Sequence, residues 1–127
     1  MMIPKFHSIS GVFIPPGDKS ISHRAALLSA ISEGRSRLKN FLHSDDTDAT
    51  LCALSQLGVE ISRKKDGIEM MGVGLKGFKK PETILDLKNS GTSLRCLTAI
   101  LSAQGFPSVL TGDTSLRRRP MGGLISL

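Results

Sequence analysis

The alternation of apolar and polar positions divides the chain into short strands and helices. Ser8-Ile9-Ser10-Gly11-Val12-Phe13-Ile14 reads as a strand running into the turn Pro16-Gly17-Asp18, where Gly17 spares the backbone a Cβ. Ile21, Ala25, Leu28 and Ile31 or Ser32 then fall near one helical face. Ser20 is the expected N-cap of this helix and Gly34 its expected stop. Residues 35–42 are strand-like, with Leu38 as an inward candidate. Ser44-Asp45-Asp46-Thr47-Asp48 predicts a second helix start, its acids well placed in the first turn. Leu51, Leu54 and Leu57 supply the buried stripe, and Gly58 the end. Residues 59–63 and 68–71 predict a hairpin about Asp66-Gly67. Residues 83–87 form the next strand. A third helix follows, capped by Thr92 or Ser93, buried along Leu94, Leu97 and Ile100 or Leu101, and ended at Gly105. Residues 108–111 give a last strand, and Pro120 marks a further helix start.

The elements repeat. Arg24 and Arg95 are each followed ten residues later by a glycine, Gly34 and Gly105, and Ser20 and Ser22 correspond to Gly91 and Ser93. Each unit runs strand, polar turn, helix, glycine stop, strand, which suggests duplicated βα units. Two helix N-termini would then stand in equivalent places, able to bind two anions close together.

Length and charge narrow the function. At 127 residues one domain is the natural size. The chain closes on Gly122-Gly123-Leu124-Ile125-Ser126-Leu127, a helix just starting, so it reads as an N-terminal fragment of a longer protein. The net charge of +6, with seventeen Lys and Arg, suits an acidic partner. Nucleic acid is disfavoured: Trp and Tyr, which would stack bases, are missing. So is a membrane, since no apolar run nears the ~18 residues of a spanning helix. Cys52 and Cys96 lack metal spacing and read as small buried residues in a reducing cytoplasm. The glycines of Gly72-Val73-Gly74-Leu75-Lys76-Gly77 lack dinucleotide-binding spacing.

A small anion fits best. Lys19, Arg24 and the Ser20 and Ser22 hydroxyls stand beside the first helix N-terminus, which suits a phosphate or carboxylate. The same residues also fit an ordinary capped helix with solvated cations. Gly91 would let a ligand approach the backbone. The run Arg117-Arg118-Arg119 before Pro120 reads by itself as a solvated loop or a nucleic-acid patch.

The string Lys19-Ser20-Ile21-Ser22-His23-Arg24-Ala25 behind Pro16-Gly17-Asp18 resembles the N-terminal signature of the EPSP synthases, the enolpyruvyl transferases that act on 3-phosphoshikimate. Asn89-Ser90-Gly91-Thr92 and Gly112-Asp113-Thr114-Ser115-Leu116-Arg117-Arg118-Arg119-Pro120-Met121 resemble two further stretches of that family. Pro15 and Lys88 depart from its usual residues. The resemblance implies an α/β fold of repeated strand–helix units, part of an inside-out, barrel-like domain. Residues 1–15 would be an opening strand associated with the other domain, and residues 16–127 a partial N-terminal domain.

The implied reaction moves the enolpyruvyl group of phosphoenolpyruvate to the 5-hydroxyl of 3-phosphoshikimate, releasing phosphate, with neither metal nor organic cofactor. By residue-level match Lys19, Ser20 and Arg24 would hold 3-phosphoshikimate. Lys19, also the catalytic candidate, would reach phosphoenolpyruvate together with Gly91 and Arg119. Arg117 and Arg118 would face solvent, and Asp45 would orient basic residues. The proton-transfer carboxylates of the family would lie beyond Leu127, so this chain alone is expected to be inactive. The full-length protein is expected to be a cytoplasmic monomer with a second domain in the same chain, binding neither nucleic acid nor membrane. Two other readings stay open: the sister transferase acting on a UDP-amino sugar, and a non-catalytic basic module.

Overall fold

The computed structural model describes residue 8 and residues 10–125. Its elements run α1 (Lys19–Ile31), β1 (Glu33–Lys39), α2 (Asp45–Gln56), β2 (Glu60–Lys64), β3 (Gly67–Val73), β4 (Leu85–Asp86), α3 (Gly91–Ser102), β5 (Leu110–Thr111), α4 (Thr114–Arg117) and α5 (Gly122–Ile125). The order β1-β3-β2 makes an antiparallel three-stranded sheet, and β4 and β5 pair in parallel across α3.

The cap of α1 is Asp18 rather than Ser20. Asp18 has extended backbone angles, and its carboxylate accepts the Ile21 N–H at 2.7 Å. Asp and Ser both cap well, and the last extended residue takes the role. The helix also closes before Gly34: Ser32 donates its N–H to the Leu28 carbonyl, and Gly34 lies inside β1. The buried face is rotated from the expected one. Ser22, His23, Ala26, Leu27, Ser29 and Ala30 point inward, whereas Ile21 and Leu28 are 61% and 62% exposed. Small inward residues let α1 lie close on β3 and against α2 and α3.

The second helix is as the pattern predicts. Ser44 and Thr47 form a capping box, three aspartates occupy the first turn, and Leu51, Leu54 and Leu57 are buried. The hairpin forms with its turn one position early: Lys64 pairs with Gly67, leaving Lys65 and Asp66 in the loop. Strand β3 is central and buries Ile68 and Met70. Strands β4 and β5 are shorter than residues 83–87 and 108–111. Ser90 caps α3 in place of Thr92 or Ser93, and the helix ends at Ser102, ahead of Gly105. One core joins both sheets and the helices, with Leu54, Leu57, Ile68, Met70, Leu85, Leu87, Leu97 and Leu116 fully buried. Each such side chain contributes about 1.5–3 kcal/mol by burial.

Three further expectations change. Part of the opening strand (residues 1–7 and 9) lies outside the described residues, and residues 10–14 form no strand, leaving Val12, Phe13 and Ile14 exposed. Cys52 is exposed and Cys96 half-buried, because the helix faces turned to the core carry Leu51 and Leu54, and Leu97. The repeat survives as helix followed by strand, but its alignment slips: Arg24 stands six residues after its cap and Arg95 five. No helix among the described residues is long and apolar enough to cross a membrane.

Candidate active site

Packing, not only turning, fixes the start of α1. A Cβ on Gly17 would lie 2.3 Å from the Asn40 carbonyl oxygen and 2.8 Å from the Leu42 nitrogen. Ser22 ties the same places together, donating to the Asp18 carbonyl at 2.8 Å and accepting the Leu42 N–H at 2.9 Å. Ser22 is thus a buried clamp rather than a hydroxyl offered to a ligand.

Beside it Lys19, Ser20 and Arg24 are exposed. The Lys19 ammonium donates to Asp46 Oδ2 at 2.9 Å, and Arg24 Nε donates to the Ser20 carbonyl at 3.2 Å. Half of the Lys19 side chain is open to solvent, so this pair holds by only about 0–1 kcal/mol and yields to a better anion. Because the Asp18 carboxylate takes the Ile21 N–H, the side chains, more than open backbone N–H groups, give this helix start its attraction for anions.

The second loop is built differently. Lys88 adopts φ 53°, held by its N–H and ammonium on Asp86 at 2.9 and 2.8 Å. That contact holds the Asp86 carboxyl below the usual carboxylate range and raises the Lys88 ammonium. The Lys88 carbonyl accepts the Asp113 N–H, so the loop is bound to the segment leading to Arg119. Asn89 donates to Asp113 Oδ2 at 2.8 Å and accepts from Arg119 Nη2. This places the guanidinium over Gly91: a Cβ there would lie 2.5 Å from Arg119 Nη1. Arg117 and Arg118 are exposed, as expected.

An open groove of about 450 Å³ lies between the start of α2 and the second loop. Asp45, Asp46, Asp86, Lys88, Asn89 and Asp113 line it, with Thr111 and Gly112. Asp46 is the partner of Lys19, and Asn89 is the partner of Arg119. Lys19, Gly91 and Arg119 do not line the groove themselves; the partners of Lys19 and Arg119 do, while Ser20 and Arg24 are exposed on α1. Asp46, rather than Asp45, orients Lys19; the Asp45 charge acts on Lys88 instead. Asp45 and Asp46 both line this groove.

Sequence reasoning missed Asn89 as the link between Arg119 and Asp113. It also missed a buried hydrogen-bond chain through His23, Thr50, Ser93 and Ser90. The only signal for that chain was polar residues at inward helical positions.

Taken together, these features define an α/β domain with cations gathered at two helix starts beside one groove. A family model described as EPSP synthase (3-phosphoshikimate 1-carboxyvinyltransferase) matches residues 3–127, and the chain belongs to that family. It is 49% identical over 120 residues to the 3-phosphoshikimate 1-carboxyvinyltransferase of Ruthia magnifica and 51% identical over 120 residues to that of Persephonella marina, covering 94% of this chain and 28% of each relative. The solved EPSP synthase from Acinetobacter baumannii superposes with a TM-score of 0.82 at 49% identity, over 87% of this chain and 26% of that one. The chain thus spans little more than a quarter of the relatives it matches.

Proposed function

We propose that this chain is the N-terminal, substrate-binding part of an enzyme that transfers the enolpyruvyl group of phosphoenolpyruvate to the 5-hydroxyl of 3-phosphoshikimate. The products are 5-enolpyruvylshikimate 3-phosphate and phosphate. The observation that carries this reading is the guanidinium of Arg119 lying over Gly91 and held by Asn89, which lines one groove with Asp46, the partner of Lys19. Lys19, Ser20 and Arg24 hold the phosphate of 3-phosphoshikimate by charge-assisted bonds. Gly91 and Arg119 hold phosphoenolpyruvate, and Lys19 reaches it as the catalytic cation.

The reaction adds the hydroxyl to the enol double bond and then expels phosphate from a tetrahedral intermediate. Cations around the phosphoenolpyruvate stabilise the charge on the leaving phosphate. Proton transfer requires groups poised on both faces of that intermediate, and these come from the remaining length of the protein, a second domain in the same cytoplasmic, monomeric chain. Residues 1–127 alone therefore bind anions weakly and turn nothing over.

The test is a hybrid in which residues 1–127 replace the matching segment of the Acinetobacter baumannii EPSP synthase. Phosphate release that requires both substrates is expected from the hybrid and not from residues 1–127 alone. A folded hybrid that binds neither substrate refutes the reading.

A further inference from the structure

His23 lies on α1 and is 1% exposed. Its Nδ1 is 2.8 Å from Thr50 Oγ1 on α2, Thr50 Oγ1 is 2.5 Å from Ser93 Oγ on α3, and Ser93 Oγ is 2.6 Å from Ser90 Oγ, the cap of α3. All four side chains are buried. The other ring nitrogen, Nε2, has no hydrogen-bond partner among the described residues. A charged ring would place a second N–H in that dry position, so the imidazole is held neutral.

Such a chain is not what stability alone selects. Replacing both partners of a buried hydrogen bond by apolar groups of the same shape is close to neutral. Apolar contacts, however, tolerate sliding, whereas hydrogen bonds fix distance and direction. The position of this chain gives that rigidity a use. One end, His23, is the neighbour in sequence of Arg24 and one helical turn from Lys19. The other end, Ser90, stands between Asn89 and Gly91. The chain crosses α2 four residues beyond Asp46, the partner of Lys19.

We propose that His23, Thr50 and Ser93 form a positioning relay that fixes the spacing between the cations of α1 and the Asn89–Gly91–Arg119 loop. This rests on the function proposed above. None of the three touches a substrate; they act by keeping the two binding places in register. The cations of 3-phosphoshikimate all sit on the α1 side of the relay, so loosening it leaves that substrate's binding intact, whereas phosphoenolpyruvate is met from both sides, by Lys19 and by Arg119. Loosening removes the alignment on which attack depends, where a small displacement costs orders of magnitude in rate.

The test uses the hybrid enzyme. His23→Leu removes the polar atom at similar volume, and His23→Asn restores one at the place of Nδ1. We expect 3-phosphoshikimate affinity, read by calorimetric titration, to stay within about twofold in both variants. We expect kcat to fall about tenfold or more in His23→Leu and to recover most of that loss in His23→Asn. Where His23→Leu fails to fold, Thr50→Val makes the same cut with an isosteric side chain. An unchanged kcat in the apolar variants overturns the relay. So does a fall in affinity that matches the fall in rate, or an Asn variant no better than the Leu one, since either marks a merely structural role. If the unmutated hybrid binds neither substrate, the proposed function has failed, and the relay falls with it for want of two sites to align.

Discussion

The starts of α1 and α3 hold their cations in opposite ways. At α1 the helix is capped by a carboxylate, Asp18, and Lys19 leans on a second one, Asp46. Negative charge already occupies both the helix end and the lysine. At α3 the cap is the neutral hydroxyl of Ser90, and Arg119 is held by the neutral amide of Asn89. The helix dipole and the guanidinium there remain uncompensated by the groups that position them. Asn89 can do this because its amide has one face of each kind: the oxygen accepts from Arg119 while the nitrogen donates to Asp113. The two places therefore differ in kind. Lys19 must exchange one anionic partner for another, whereas Arg119 is aligned in advance by a neutral one.

The sharpest break of this comparison is removal of the cations. In the hybrid, Lys19→Ala and Arg24→Ala are each expected to weaken 3-phosphoshikimate binding by about 1.5–3 kcal/mol, the worth of a hydrogen bond to a charged group. Titration calorimetry decides this, and unchanged affinity in both would remove α1 from the site. Next comes Gly91→Ala. The added methyl meets the far end of a flexible side chain, Arg119 Nη1 at 2.5 Å, so the guanidinium moves rather than the fold. The KM for phosphoenolpyruvate is expected to rise about tenfold while 3-phosphoshikimate affinity and Tm hold. Equal loss for both substrates would mean instead that the loop has collapsed.

Much of this was legible in the chain, and the failures have physical causes. α2 read correctly because its cap, acids and leucines all agree. α1 misread by part of a turn because four of its six buried residues, Ser22, Ala26, Ser29 and Ala30, carry little hydrophobic signal, while Ile21 and Leu28 face outward. Two cap-competent residues, Asp18 and Ser20, compete two positions apart, and only the backbone angles choose between them. The pairing of β1 with β3 crosses a whole helix and a hairpin, which no local pattern reports. The motif residues pointed to the candidate site, but Asn89 and Asp46, the partners of Arg119 and Lys19, became visible only in the folded chain.

A smaller effect comes from the relay between the two helix starts. Burial, ahead of the opposing Asp46 charge and a contribution from Lys19, holds the His23 imidazole below its ordinary value. The folded state thus binds fewer protons than the unfolded chain below about pH 6.5. This contribution to stability is complete above that pH and is lost as pH falls toward the folded value. The slope is at most about 1.4 kcal/mol per pH unit. Urea midpoints across pH 5 to 7 are expected to fall less steeply for His23→Gln than for the unmutated protein. Parallel curves would show that His23 is not buried neutral.

The smallest effect probes the contrast itself. Asp18→Ser gives α1 the kind of cap that α3 already has. Both residues cap well, so the hydrogen bond to the Ile21 N–H survives and stability falls by no more than about 1 kcal/mol, the worth of the lost charge at the dipole. What disappears is the fixed negative charge at the helix end. That charge stabilises the empty helix through the dipole but opposes an arriving phosphate, by about 0.3–1 kcal/mol at low ionic strength. Inorganic phosphate and 3-phosphoshikimate should therefore bind the Asp18→Ser hybrid about two- to fivefold more tightly, with the gain fading in high salt as exposed charges are screened. If Asp18→Ser weakens phosphate binding instead, Asp18 is serving to organise Lys19 and Arg24. The acidic cap would then be part of the binding arrangement rather than a competitor within it.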